Sequence, residues 1–241
     1  MALLLFEWQW AEAEDAFKKA LALNPGYMQG MAWYWLFCRA FAAGDFAPAI
    51  QAMKDFWARD TLSSYAAAVV AVGYAAGRPG DPEVFEWSNR ALELDPQAFL
   101  SKWVVQLAHG SVQDWDNAIE AAHVALQDSG RSVLPMQWLA TYYVKKGDVA
   151  LAQSVYDELT SRSKREYVSP MSLANVAAGL GHDEAAWAWC REAVRRHDPL
   201  TIILAHGWVG AESLQSLPAY QDVLREIGLT GWAEEARKRP G

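Results

Sequence analysis

Apolar positions along this chain recur at helical rather than alternating spacing. An apolar run, a glycine-centred break, a second run with alanines spaced down it and then a proline follow one another several times. Aligned on their first small residue, the second runs begin at Ala13, Ala49, Val84, Ala118, Ala152 and Ala186, at spacings of 36, 35, 34, 34 and 34 residues. Four residues later stand Phe17, Met53, Ser88, Ala122, Tyr156 and Cys190, and seven later Ala20, Phe56, Ala91, Ala125, Leu159 and Ala193. Offsets of four and seven lie on one helix face. Alanine at two of the three positions lets a neighbouring helix come close. The pattern predicts six helix hairpins in series.

The punctuation agrees. Gly44, Gly77, Gly147 and Gly181 stand where the first helix of a unit should end, each expected in the left-handed conformation that favours glycine. In the fourth unit, whose first helix around Trp103 to Gly110 fits the pattern poorly, Gln113 takes that place. Asn24-Pro25, Asp95-Pro96 and Asp198-Pro199 close second helices, because proline disfavours helical geometry in the residue before it. Phe56 replaces the usual alanine in the second unit and is expected to push its neighbours apart. Beyond residue 199, Leu214, Leu217, Tyr220, Leu224 and Ile227 predict a closing helix stopped at Gly228 and anchored by Trp232. Arg237 to Gly241 are expected to fray.

These residues resemble the tetratricopeptide repeat, a unit of about 34 residues with Trp, Leu, Gly and Tyr in its first helix and Ala, Phe, Ala and Pro in its second. Ala13, Phe17, Ala20 and Pro25 match the second half. Trp138, Leu139, Tyr143, Gly147, Ala152 and Tyr156 match most of one unit. The resemblance covers about residues 1–199. It implies an all-α fold, an α-α superhelix of stacked antiparallel hairpins. Residues 1–212 form an array of about five and a half repeats, the first truncated, and 213–241 a capping helix and tail. The succession Arg165 to Pro170, Ala177 to Gly181, His197-Asp198-Pro199 and Leu214 to Leu229 is similar to the C-terminal repeat region of bacterial winged-helix regulators, serine/threonine kinases and adenylate cyclases. That likeness implies a partner-binding or sensor arm in signal transduction: a non-enzymatic scaffold whose ligand is a protein or peptide.

Composition narrows the function classes. The chain has 241 residues, 52% hydrophobic and 21% charged, with 42 Ala and 24 Leu against 17 Val and 5 Ile, a helix-forming inventory. A net charge of −8 argues against direct nucleic-acid binding through phosphate neutralisation. No apolar run approaches the roughly 18 residues a membrane span needs. Two cysteines suit a reducing, cytoplasmic setting. Glycine-rich phosphate loops, His-Glu-x-x-His and Cys-x-x-Cys are all missing from the sequence, so no enzyme, cofactor or metal site is expected. Cys190 and His197 share a helical face and allow a nucleophile–base or ligand pair. The repeat register instead makes Cys190 a packing residue and His197 a helix-end cation.

In stacked hairpins of this kind the first helices line a concave groove. The register places Met31, Tyr34, Cys38 and Phe41 there from the second unit, Ala67, Ala71 and Tyr74 from the third, Trp103 and Leu107 from the fourth, and Gln137, Thr141 and Lys145 from the fifth. Ala67 and Ala71 leave room between Tyr34, Tyr74 and Trp103 for the large apolar anchors of a peptide or helix. These aromatics filling the interior themselves is the competing reading. Two other functions fit the sequence. Leu4, Phe6, Trp8 and Trp10 in the incomplete first hairpin make a poor polar cap, and would allow a homodimer. An aromatic-lined interior would also suit a small-ligand binder or an enzyme.

Overall fold

The computed structural model describes residues 1–239, apart from the side chain of Asp128. Six hairpins follow in chain order. α1 (Ala2–Leu5) pairs with α2 (Trp10–Leu23). α3 (Met28–Trp33) continues as a π-helical stretch (Tyr34–Ala42) and pairs with α4 (Phe46–Trp57). α5 (Ser64–Gly77) pairs with α6 (Glu83–Leu94), and α7 (Phe99–Ser111) with α8 (Trp115–Asp128). α9 (Val133–Lys146) pairs with α10 (Val149–Arg162), and α11 (Pro170–Gly179) with α12 (Asp183–Arg195). No strand occurs among the described residues. The fold is an all-α superhelix of stacked hairpins.

The three-column register explains the stacking. Every column residue is buried except Ala20, which is half-buried. Burying a stripe of small side chains on each second helix brings the next hairpin close and removes apolar area from water. Helix ends follow the punctuation at most positions. Gly147 takes φ 92° with its N–H bonded back to Val144 O, and Gln113, standing in for glycine, takes φ 63°. Gly77 differs: it remains within α5, and a Cβ there would stand 2.4 Å from Phe46. Close approach of α4, rather than a left-handed turn, requires glycine at that position.

The chain beyond α12 departs most from expectation. Instead of one closing helix there are four short ones: α13 (Leu200–Ile203), α14 (Glu212–Gln215), α15 (Pro218–Glu226) and α16 (Leu229–Lys238). Gly228 does separate the last two, at φ 74°. α16 then packs against the first hairpin. Trp10 Nε1 donates to Ile227 O at 2.8 Å, and the Trp10 and Trp232 rings lie 6.0 Å apart. Trp8 stacks on His197 at 4.6 Å, and the Phe6 carbonyl lies 2.5 Å from His197 Nδ1.

Buried charges clasp the two ends together. Arg39, in the π-helical stretch, is 1% exposed and donates through Nη1 to Ala236 O and through Nη2 to Arg239 O, both at 3.1 Å. It also pairs with Asp45. Glu14, equally buried, lies 3.1 Å from Arg239 and 3.0 Å from Lys18. Arg237 donates to Ala43 O at 2.5 Å. The tail expected to fray is therefore docked as far as Arg239; Pro240 and Gly241 lie outside the described residues. The first hairpin is likewise not bare. Leu4 and Trp10 are buried, Trp8 is half-buried and only Phe6 stays exposed, because the C-terminal helices of the same chain cover this end.

Candidate binding site

Residues 200–212 cross the inside of the array, over the C-terminal ends of its first helices. The Trp208 N–H donates to Ala76 O at 3.1 Å, at the end of α5. Its ring stacks on Phe41 at 5.6 Å and lies 5.0 Å from Trp138, while Nε1 donates to Ile203 O at 2.8 Å. Gly207 and Gly210 make this path possible: added Cβ atoms would stand 2.2 Å from Ala76 O and 2.3 Å from Thr141 Cγ2. His206 Nδ1 donates to Phe41 O at 2.9 Å, and burial holds the imidazole below its usual pKa. Lys145 pairs with Glu212 at 2.8 Å. Burial opposes ionisation of Glu212, but Lys145 and the Gly210 N–H outweigh it and hold the carboxyl below its usual range.

This segment changes the expected groove. Tyr34, Cys38, Phe41, Ala67, Ala71, Tyr74, Trp103, Leu107, Gln137 and Thr141 are all buried. Met31 is half-buried, and of the twelve only Lys145 is exposed. Thr141 and Lys145 do point at a ligand, but the ligand is Gly210 and Glu212 of the same chain. Tyr34 instead packs on Phe17 of α2, 6.1 Å between rings. The inner face here carries Trp33, Leu36, Phe37 and Phe41 in place of Tyr34 and Cys38. α5 is buried on every side from Ala66 to Ala76, so no polar residue marks its inner face. That face carries Tyr65, Val69 and Val72, while the Tyr74 hydroxyl turns away to Glu83 at 2.8 Å.

Above Trp208 the concave face encloses a cavity of about 320 Å³. Trp33, Phe37, Tyr65, Leu100, Leu134, Leu200 and Ile203 of its lining are half-buried, and four of these, Tyr65, Leu100, Leu134 and Leu200, stand in the first turns of their helices and form its mouth. Its floor is Phe41, Val72, Leu204 and Trp208, all buried. Trp103, Gln137 and Trp138 stand between. No charged side chain lines it. Of the residues expected in the groove, only Phe41, Trp103 and Gln137 reach this cavity. The contribution from Leu200 to Trp208 was not anticipated. Its signal is an apolar run and a Gly-Trp-Val-Gly turn with no place in the 34-residue period.

The rim carries a second feature. The turns from second to first helices all fall on one edge: Arg59 donates to Pro25 O at 3.2 Å between consecutive turns, and Arg162 to Arg131 O at 2.7 Å. Leu23 (87% exposed), Tyr27, Leu62 (80%), Phe99 and Tyr167 are exposed along that edge. The mouth of the cavity opens there too.

The candidate reactive groups do not assemble. Cys190 is fully buried and His197 is exposed against Trp8. Burial pushes the Cys38 and Cys190 thiols up to about 12, far from thiolate chemistry. Among the described residues no group of His, Cys, Asp and Glu is placed to hold a metal ion, and no helix is long and apolar enough to cross a membrane.

No family model matches the sequence, and no curated protein matches it. Among solved structures the chain is similar to one of Naa15/Naa10 bound to HypK-THB, at 16% sequence identity and a TM-score of 0.40. The match covers 95% of this chain and 33% of that one, so the chain spans about a third of its length.

Proposed function

We propose that this chain is a non-enzymatic, cytoplasmic helical-repeat scaffold that binds a protein partner along its turn edge rather than in its groove. The observation that carries this reading is the row of exposed apolar side chains at Leu23, Tyr27, Leu62, Phe99 and Tyr167, on an edge held by inter-turn hydrogen bonds. Exposed apolar residues grouped on one rigid edge mark an interaction surface more often than residues scattered singly. The groove, by contrast, is occupied by residues 200–212. The partner chemistry that fits is an amphipathic helix with its apolar face laid on this edge. The resemblance to regulator arms makes the partner-binding arm of a bacterial regulatory protein the finer form of this proposal.

The test compares affinity capture by the wild type with capture by Leu23→Ser/Leu62→Ser/Phe99→Ser and by the outer-surface control Val149→Ser/Leu151→Ser. A partner held by the wild type and the control but lost by the edge variant supports the reading. A partner retained by the edge variant relocates the site. Sedimentation of the wild type over a range of concentrations addresses self-association. Dimerisation abolished by the edge substitutions would replace the heterologous partner with a second copy.

A further inference from the structure

We infer that the cavity above Trp208 is a binding site for a small, neutral, aromatic or hydrocarbon molecule. This site is separate from the edge proposed for a protein partner, and each can fail without the other. Size and charge both bear on it. A volume of about 320 Å³ is roughly twice that of an apolar cavity that takes benzene, and lies at the lower end of small-ligand pockets, so two or three rings fit where a helix does not. The lining holds no charged group, so an ionised ligand would lose its hydration without compensation. Two polar atoms of the lining are engaged within the chain: Trp208 Nε1 donates to Ile203 O, and Gln137 Oε1 accepts from Ser172. Trp103 lines the cavity while its Nε1 is fully buried, out of reach of the cavity space. The ligand is therefore held by shape and apolar contact.

The exposure gradient supplies a route. Tyr65, Leu100, Leu134 and Leu200, in the first turns of their helices, are half-buried, and Phe41, Val72, Leu204 and Trp208 at the other end are buried, so the cavity opens chiefly towards the turn edge.

The experiment uses the full chain and the neutral fluorophore N-phenyl-1-naphthylamine, displaced by a matched pair, 2-ethylnaphthalene and 2-naphthoate. Saturable one-to-one binding is expected. The carboxylate should be weaker than the hydrocarbon by about a hundredfold. Leu134→Trp at the mouth and Val69→Phe on the wall should each remove binding, and variants with wild-type melting curves are the ones compared. Leu62→Ser/Phe99→Ser, on the edge, should leave binding unchanged. The proposal is overturned by non-saturable binding, by naphthoate matching ethylnaphthalene, by wild-type affinity in folded Leu134→Trp or Val69→Phe, or by binding lost with the edge substitutions.

Discussion

The seams between hairpins and the concave face use the same apolar residue types, yet different contacts build them. Along the seams each second helix presents a three-residue column to the next unit, and the partner lies in that neighbouring unit, as Phe17 meets Tyr34. Ala49, Ala118, Ala152 and Ala186 are fully buried there. On the concave face the partner comes from the far end of the chain. His206 bonds to Phe41 across 165 residues, and Arg39 to Ala236 across 197. A seam is a nearest-neighbour contact, and an array held only by seams can lose its units one at a time. The inner segment and the buried clasp join units that are not neighbours. They should bind the array into one cooperative block, and they turn an expected open groove into an interior.

Substitutions on the two sides should separate these roles. Trp208→Ala removes the ring shared by Phe41 and Trp138 and is expected to cost about 3–5 kcal/mol. Cleavage by a dilute protease should appear within 200–217 before the helical circular-dichroism signal falls. Simultaneous loss of both would show that segment and seams unfold as one. Arg39→Leu leaves Asp45 without its guanidinium and Glu14 with only Lys18 and Arg239, and should cost about 3 kcal/mol, read as a shift of the urea midpoint. Combined with Trp208→Ala, the cost should be less than the sum, because both substitutions release the same C-terminal region. An additive pair would mean that clasp and inner segment dock independently. Ala152→Leu overfills a seam and should cost about 1–3 kcal/mol without sensitising 200–217 to protease. An unchanged melting curve would remove Ala152 from the seam.

The same contrast explains what the sequence discloses. The seams were legible because a column of small residues repeats at a fixed period and each contact is local in register. Gln113 at φ 63° shows how far that register reaches, since a position marked for glycine keeps its backbone conformation under another side chain. The concave face was legible only as apolar. Its register failed at Tyr34 and Cys38, where every residue from Tyr34 to Phe41 but Arg39 is apolar or aromatic, and at Ala67 and Ala71 because α5 has no polar side to orient it. Its occupant was hidden for a different reason. Trp208 meets Ala76 and Phe41 through a non-repeating segment, and no local periodicity encodes a contact between distant parts of the chain. Trp10 likewise read as an uncovered aromatic, because Ile227 and Trp232 are its cover.

The smallest expected effect tests the concave side alone. Burial, with Arg237 nearby, holds His206 below its ordinary value of 6.5, while the Phe41 carbonyl accepts from Nδ1 and works in the opposite direction. The folded state therefore prefers the neutral imidazole. The stability this contributes is fully present above 6.5 and is lost as pH falls through the lower folded value. Glu212, whose carboxyl is held below its ordinary 4.5, gives up its own contribution only under more acidic conditions. Between pH 6.5 and 4.5 the inner segment should thus loosen through His206 while the Lys145–Glu212 pair persists. Protease sensitivity within 200–217 should rise over that interval, and His206→Asn, which keeps a donor for Phe41 O but does not titrate, should flatten the rise. Equal pH dependence in the wild type and His206→Asn would place the titrating group elsewhere. A matching rise in cleavage at the α9–α10 turn would mean that acid loosens the seams as well as the concave face.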